Sequence, residues 1–346
     1  MNDELYMRRA LDLAVLGRGR VSPNPMVGCV IVHNDRVIGE GWHQKYGGPH
    51  AEVHAVSSVK DKKLLRESTV FVTLEPCAHH GKTPPCASLL ADHQVKCVVI
   101  CNRDPNPLVA GKGIAILEQA GIKVEEGLFE EEGAELNRRF FTFYTKKRPY
   151  IILKWAETAD GFIARENYDS KWISNALSRK LVHKWRSEED AILVGKQTAK
   201  VDDPALNVRD WSGKNPLRLV IDRHLELPPT HKLFSDGEPT VCYNLEKTDN
   251  AGAVHYSQCR EEKFFGDIME DLYRKKIQSV IVEGGAQILN ILFETELWDE
   301  VRRFRSEKTF GRGISAPDLR NAELISRSDF TGDELSIFKN QKTSRR

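Results

Sequence analysis

The stretch from Gly48 to Cys86 constrains this chain more than any other. It opens GGPHAEVHA, with His50 and Glu52, and closes LEPCAHHGKTPPCASLL, with Cys77 and Cys86. One histidine and two cysteines are ligands that zinc prefers, and a set of three leaves the fourth position open for water. Zinc brings the pKa of such a water towards neutrality. Glu52, outside the ligand set, is then expected to take the proton and pass it to a leaving group. A closed structural site would need His54, His79 or His80 as a fourth ligand, and would leave Glu52 idle.

Position decides whether these residues can meet. Residues two apart in mid-helix point to nearly opposite sides, but at a loop–helix start they can converge. Gly47, Gly48 and Pro49 break the chain, so a helix is expected to begin near His50. Thr69–Leu74 reads as a strand that ends at Glu75-Pro76-Cys77. Pro84-Pro85 precedes a helix from Cys86 to Asp92, which puts Cys86 where the helix dipole favours a thiolate.

At 346 residues the chain predicts two domains, 1–146 and 147–346, joined at the polar run Lys146-Lys147-Arg148-Pro149. A net charge of +1 offers no basic field for nucleic acid. No run approaches the ~18 apolar residues of a membrane span, and the N-terminus lacks a signal core, so a cytoplasmic protein is expected. Seven cysteines, an odd number without a secretory signal, argue against a disulfide framework. Cys29, Cys97 and Cys101 read as small buried hydrophobes.

In the first half, residues 3–17 show helical apolar spacing, and Asn24 lies in a turn between Pro23 and Pro25. Met26–Val32 and Arg36–Trp42 form a hairpin over Asn34-Asp35. Strands at Val95–Cys101 and Ile122–Glu126, a helix at 111–120 and one further helix over 130–144 complete an alternation that predicts a three-layer α/β domain. The second half reads as strands at Tyr150–Trp155, Ala191–Val194, Leu217–Ile221 and Thr240–Tyr243, with helices at Leu177–Trp185 and 265–276. Then SVIVEGGAQILNILFE gives buried strand, glycine turn and helix, an N-terminus suited to phosphate without a GxGxxG motif. Glu283, at the end of that strand, needs a partner or a job. The strand from Val301, VRRFRS, is basic enough to predict a sheet edge or an anion contact, and the tail from Lys339 is expected to fray.

The His-x-Glu and Pro-Cys pattern is similar to that of zinc nucleobase deaminases. Eight residues separate Cys77 from Cys86, and with SPNPMVGCVIV, GGPHAEVHA and DPNPLVAGKGI the first half closely resembles the deaminase half of the bifunctional riboflavin-biosynthesis deaminase–reductases. The resemblance implies a cytidine-deaminase-like domain with one catalytic zinc on His50, Cys77 and Cys86. It implies a diaminopyrimidinone ribose phosphate as substrate, with Asn24, His43, His79 and Lys82 at its pyrimidine and phosphoribosyl groups.

LKWAETADG, SKWIS, KWRSEEDAILVGKQTAKVDDPALNVR and VEGGAQIL resemble the reductase half of the same family. That implies a dihydrofolate-reductase-like fold and NADPH. Glu157, Trp172, Thr198, Asp202 and the run Gly285, Ala286, Gln287, Ile288, Leu289, Asn290 and Ile291 fall at cofactor positions. Lys154, Ser170, Arg186, Leu206, Arg209 and Glu283 fall at substrate positions, Arg186 and Arg209 reading as phosphate forks. The nicotinamide hydride would reduce C1′ of the opened ribose, with Lys154 and Glu283 polarising or protonating the sugar. The family commonly has a small residue where Glu157 stands, so a cofactor contact there would survive through the backbone but not through the side chain. The resemblance further implies a homo-oligomer, a dimer or tetramer.

Two other readings compete. A nucleic-acid base deaminase with an appended domain needs stacking platforms and a basic channel, which the near-neutral charge disfavours. A deaminase whose second half is only structural would bind no cofactor.

Overall fold

The computed structural model describes residues 2–78 and 84–344. The chain separates into two units between Lys147 and Arg148. The first runs α1 (Asp3–Val15), β1 (Gly28–His33), β2 (Arg36–Trp42), α2 (Ala51–Ser58), β3 (Thr69–Leu74), α3 (Cys86–Asp92), β4 (Cys97–Asn102), α4 (Lys112–Gln119), β5 (Lys123–Glu126), α5 (Glu130–Leu136) and α6 (Arg138–Lys146). Its sheet has the order β2-β1-β3-β4-β5. Strand alternation makes the layers. Cys29, Ile31, Val70, Val72, Val98 and Ile100 pack against Ala51, Ala55, Ala87, Leu90, Ile114 and Leu117 of α2, α3 and α4. Their neighbours Val30, Val32, Phe71, Val99 and Cys101 turn to the opposite face and meet Met7, Ala10 and Leu11 of α1. All seven cysteines are free, and Cys29, Cys97 and Cys101 are buried.

The single helix expected over 130–144 is two helices, divided at Asn137. Asn137 is buried at φ −102°, ψ 23°. Its amide accepts from Met26 N at 2.8 Å and donates to Met26 O at 2.9 Å. That two-point bond to a distant backbone tilts the chain out of a continuous helix.

The second unit contains β6 (Tyr150–Glu157), β7 (Phe162–Ala164), α7 (Ala176–Glu188), β8 (Ala191–Gly195), α8 (Lys196–Asp202), β9 (Leu217–Ile221), α9 (Lys232–Ser235), β10 (Thr240–Asn244), β11 (Asp249–Ala251) and β12 (Val254–Gln258). It continues with α10 (Phe264–Arg274), β13 (Ser279–Val282), α11 (Ala286–Glu294), β14 (Glu300–Ser306), β15 (Ile314–Ser315), β16 (Ala322–Phe330), β17 (Asp333–Asn340) and α12 (Gln341–Ser344). Ten strands form one sheet, β11-β12-β10-β9-β8-β13-β6-β14-β17-β16. From β12 to β14 every pairing is parallel, so the carboxyl ends of β6, β8, β9 and β13 emerge along one edge of the sheet. In open α/β sheets that edge is where ligands bind.

The basic strand lies inside the sheet, not at its rim: β14 pairs with β6 on one side and β17 on the other. Buried carboxylates make this possible. Arg302 Nε meets Glu300 at 2.6 Å, and its guanidinium lies 4.6 Å from the Trp185 ring centre. Arg305 Nε meets Glu157 Oε1 at 2.8 Å, and Arg303 reaches the same oxygen at 3.6 Å. The anions this strand binds are side chains of its own unit. Nor does the tail fray at Lys339, because β17 extends to Asn340, whose buried side chain donates to Trp298 O at 3.1 Å. Among the described residues no helix is long and apolar enough to cross a membrane.

Candidate active sites

In the first unit, His50 is the N-cap of α2 in extended conformation, φ −76° and ψ 168°, and Glu52 lies in the first turn. This is the loop–helix start at which two residues of that spacing can share a site. Cys77 follows β3 and Cys86 opens α3. The ligand atoms of His50, Cys77 and Cys86 all lie within 4.8 Å of one another. His50 Nδ1 is 3.5 Å from Cys77 Sγ and 3.3 Å from Cys86 Sγ. An imidazole nitrogen and two sulfurs converging on one point are a donor set that fits zinc.

Without the metal the two sulfurs share one proton: Cys86, pushed up by its hydrogen bond to Cys77 and by burial, keeps it, and Cys77 is the thiolate. Cys77 Sγ accepts from the Cys86 backbone N–H at 3.3 Å. A hydrogen bond from the Cys86 side chain, followed by that from His50, holds Cys77 well below the ordinary thiol range. Burial pushes the Glu52 carboxyl up to about 7, helped by the neighbouring Cys77 charge. A carboxyl so placed can be both proton acceptor and donor near neutrality.

Asn24 Nδ2 lies 3.1 Å from His43 Nε2, and His43 Nδ1 lies 2.9 Å from Pro49 O. The carbonyl only accepts, so Nδ1 carries the proton and Nε2 accepts from Asn24. Burial lowers the His43 pKa and keeps the ring neutral. Asn24 and His43 are therefore tied to the peptide just before the His50 ligand. His79 and Lys82 lie outside the described residues.

Sequence reasoning passed over Glu75, which lies just before Pro76-Cys77 and is buried. Its carboxylate accepts from four backbone N–H groups: Asp104 at 3.3 Å, Gly111 at 3.0 Å, Gly113 at 3.0 Å and Ile114 at 3.4 Å.

In the second unit a cavity of about 1130 Å³ opens at the carboxyl ends of β6, β8, β9 and β13. That volume is a little above the roughly 300–1,000 Å³ of ordinary small-molecule pockets. Trp172, Thr198, Asp202, Gly285, Ala286, Gln287, Ile288 and Ile291 line it. Gly284, Gly285 and the first turn of α11 present a helix N-terminus to it, a fit for a dinucleotide's phosphates. Lys154, Ser170, Arg186, Arg209 and Glu283 line it as well.

Four positions carried over from the resemblance are not on this wall. Leu206 and Leu289 are buried in the hydrophobic cores, and Asn290 is exposed away from the cavity lining. The Glu157 side chain is spent on Trp155 Nε1, at 2.8 Å, and on Arg305. His183, Arg179 and Arg223 line the cavity without having been foreseen. The i, i+3 spacing of His183 and Arg186 on one helix was the available signal for the first of them.

Arg186 also differs from expectation. It is not a free phosphate fork, because its Nε and Nη2 grip Glu283 at 2.7 and 3.0 Å and its Nη1 donates to Asn207 O at 3.2 Å. Lys154 Nζ lies 3.6 Å from the same carboxylate. Burial alone would raise the Glu283 pKa, but the Arg186 and Lys154 cations overcome it and hold the group at about 2. Burial lowers the Lys154 pKa against the pull of Glu283.

The family described as cytidine and deoxycytidylate deaminase zinc-binding region matches residues 1–102, and the RibD C-terminal domain family matches residues 149–328. The riboflavin biosynthesis protein RibD of Aquifex aeolicus is 41% identical over 323 residues, covering 92% of this chain and 90% of the relative. That of Escherichia coli is 38% identical over 330 residues, covering 90% and 89%. A solved diaminohydroxyphosphoribosylaminopyrimidine deaminase/5-amino-6-(5-phosphoribosylamino)uracil reductase from Thermotoga maritima superposes with a TM-score of 0.89 at 38% identity, covering 98% of both chains. Acinetobacter baumannii RibD does so at 0.88 and 34%, covering 97% of this chain and 98% of its own. With a zinc deaminase domain on one side of Lys147 and an NADPH-dependent reductase domain on the other, this chain belongs to the bifunctional RibD family of riboflavin biosynthesis.

Proposed function

We propose that the first unit binds zinc through His50, Cys77 and Cys86 and removes the amino group of a diaminopyrimidinone ribose phosphate. The convergence of those three ligand atoms beside buried Glu52 carries the reading. Held by His50, Cys77 and Cys86, zinc would supply Lewis acidity to a water. Glu52 accepts the water's proton and returns it to the departing nitrogen. Asn24 and His43, with neutral His43 held by Pro49 O, orient the pyrimidine. His79 and Lys82 are assigned to the substrate on the resemblance alone.

The second unit reduces the ribosyl group of the deaminated product to a ribityl chain. When bound along the N-terminus of α11, NADPH would supply hydride chemistry for C1′. A proton must accompany it. Glu283, held at about 2, has none to give at neutral pH. Lys154 therefore donates the proton, and Glu283 keeps it charged and aimed into the cavity. With Arg186 committed to Glu283, Arg209, its side chain 55% exposed, is the guanidinium assigned to the substrate phosphate. The N-terminus of α11 takes the cofactor phosphates. Leu206, Leu289, Asn290 and the Glu157 side chain are left out of this assignment. The reading places the enzyme in the cytoplasm as a homo-oligomer, which light scattering of the purified protein would test.

The decisive experiment gives the purified protein the diaminopyrimidinone ribose phosphate and NADPH, with ammonia and nicotinamide absorbance followed together. Both signals are expected. Ammonia alone would leave the second unit a scaffold. Neither, with zinc bound, would overturn the substrate and favour a nucleic-acid base deaminase.

A further inference from the structure

The motif DPNPLVAGKGI, residues 104–114, has no part in the chemistry assigned above, yet its geometry converges on one side chain. Asp104 Oδ1 accepts from Asn106 N at 2.8 Å, and Asn106 Oδ1 accepts from Leu108 N at 3.1 Å, so the segment turns on its own side chains. Lys112 Nζ donates back to Leu108 O at 3.2 Å. Gly111 adopts φ +76°, a conformation glycine takes without strain, and so aims its N–H at Glu75 Oε2. Gly113 and Ile114 supply N–H groups from the first turn of α4 to Oε1. Glu75 thus caps α4 from another element, and at that helix terminus its negative charge is favourable. Among the described residues its partners are these backbone groups, not a salt-bridging cation.

The clamp closes on a metal ligand's backbone. A Cβ on Gly113 would stand 1.9 Å from Pro76 O, so α4 begins in direct contact with the peptide that joins Pro76 to Cys77. On the far side, Cys77 O accepts from Ala87 N at 3.2 Å. Cys77 is therefore held between α4 and α3, the helix that Cys86 opens.

We infer that Glu75 is a positioning residue for the zinc site: by capping α4 it fixes the Pro76–Cys77 peptide and sets the Cys77 sulfur against His50 and Cys86. This deepens the deaminase assignment and rests on it. Groups that orient a metal's ligands typically change its affinity by about 10–100-fold, and Glu75 acts on Cys77 through α4.

The test uses the full-length, zinc-loaded protein. Zinc release to a chromogenic chelator and the thiolate charge-transfer band of the cobalt(II)-substituted protein are read for Glu75→Gln and Gly111→Ala. The amide of the first presents an N–H to donors. The second strains the loop at a position where no atom lies within 4 Å of the new Cβ, which keeps the test usable if the first fails to fold. Leu11→Ala, in the core on the opposite face of the sheet, is the control for destabilisation alone. The expected result is zinc release about 10–100-fold faster, with a shifted cobalt band, in both variants, and neither change in Leu11→Ala at a comparable loss of Tm. The inference is overturned if the two variants match Leu11→Ala in both readouts. If Cys77→Ser holds zinc as the unaltered protein does, the zinc assignment itself fails, a result distinct from the first.

Discussion

Arg186 holds both oxygens of Glu283, at 2.7 and 3.0 Å, in a pair whose side chains are only 12% and 11% exposed. Lys154 joins as a second cation at 3.6 Å. The cluster fixes which group is charged in the reductase cavity. Losing Arg186 takes two charge-assisted hydrogen bonds from Glu283 but leaves Lys154 beside it, at a cost of about 1.5–3 kcal/mol. Arg186→Met is expected to lower the stability of the second unit by that order, and denaturant unfolding measures it. Arg209→Ala should instead raise KM for the phosphorylated substrate at nearly unchanged Tm. Equal behaviour of the two variants would contradict the division of labour.

Acid should dismantle this cluster at a defined pH. The Glu283 pKa is about 2 in the fold, against about 4.3 in an unfolded chain. A depressed carboxyl stabilises the fold fully above the unfolded value, and the contribution is lost as pH falls through the folded one. The difference corresponds to about 3 kcal/mol, lost between roughly pH 5 and pH 2. Unfolding followed across that window should show a steeper decline for the unaltered protein than for Glu283→Gln. Parallel profiles would show that Glu283 does not titrate there.

Lys154→Ala should slow NADPH oxidation by about 10²–10⁴-fold, the usual worth of a positioned proton donor. Ammonia release should continue, since Lys154 belongs to the second unit. Tryptophan fluorescence quenching by NADPH checks that the cofactor still binds. Unchanged turnover with the deaminated substrate would remove Lys154 from the mechanism.

Glu52→Gln is predicted to reduce ammonia release by about 10²–10⁴-fold while zinc content stays the same. Chelation should reach the same endpoint by stripping the metal. In both cases the deaminated pyrimidine, supplied directly, should still drive NADPH oxidation. A zinc-depleted Glu52→Gln protein would instead make the glutamate a ligand.

Glu157→Ala should destabilise the second unit by about 1–3 kcal/mol, because it leaves the buried Trp155 N–H without its acceptor and removes one carboxylate from Arg303, which keeps Glu334. NADPH affinity should change less than twofold, since the Glu157 side chain bonds Trp155 and Arg305 and is not on the cavity wall. Calorimetric titration separates the two effects, and a large loss of affinity at intact Tm would restore Glu157 to the cofactor site.

Much of the deaminase site was legible in the chain because its information is local. Gly-Gly-Pro before His50 sets a helix start, Pro-Cys ends a strand, and Pro-Pro starts the helix that Cys86 opens. Backbone restrictions of proline and glycine act over a few residues and need no partner to be read. The alternating apolar runs that build the three-layer unit were readable for the same reason.

What tertiary structure alone decided concerns charges whose partners lie far away in sequence. Arg186 meets Glu283 across 97 residues, Arg305 meets Glu157 across 148, and Glu75 meets Gly113 across 38. A lone arginine reads as a phosphate fork and a basic strand reads as an edge, because sequence shows a charge without its counter-charge. Burial then makes pairing obligatory, since an unpaired charge costs more than a fold of marginal stability can bear. Asn137 follows the same rule on a neutral scale: its bond to Met26, 111 residues away, split a helix that local periodicity had read as continuous. The sequence determined the elements and the residue types of the chemistry, and the fold decided which charges remain free to meet a substrate.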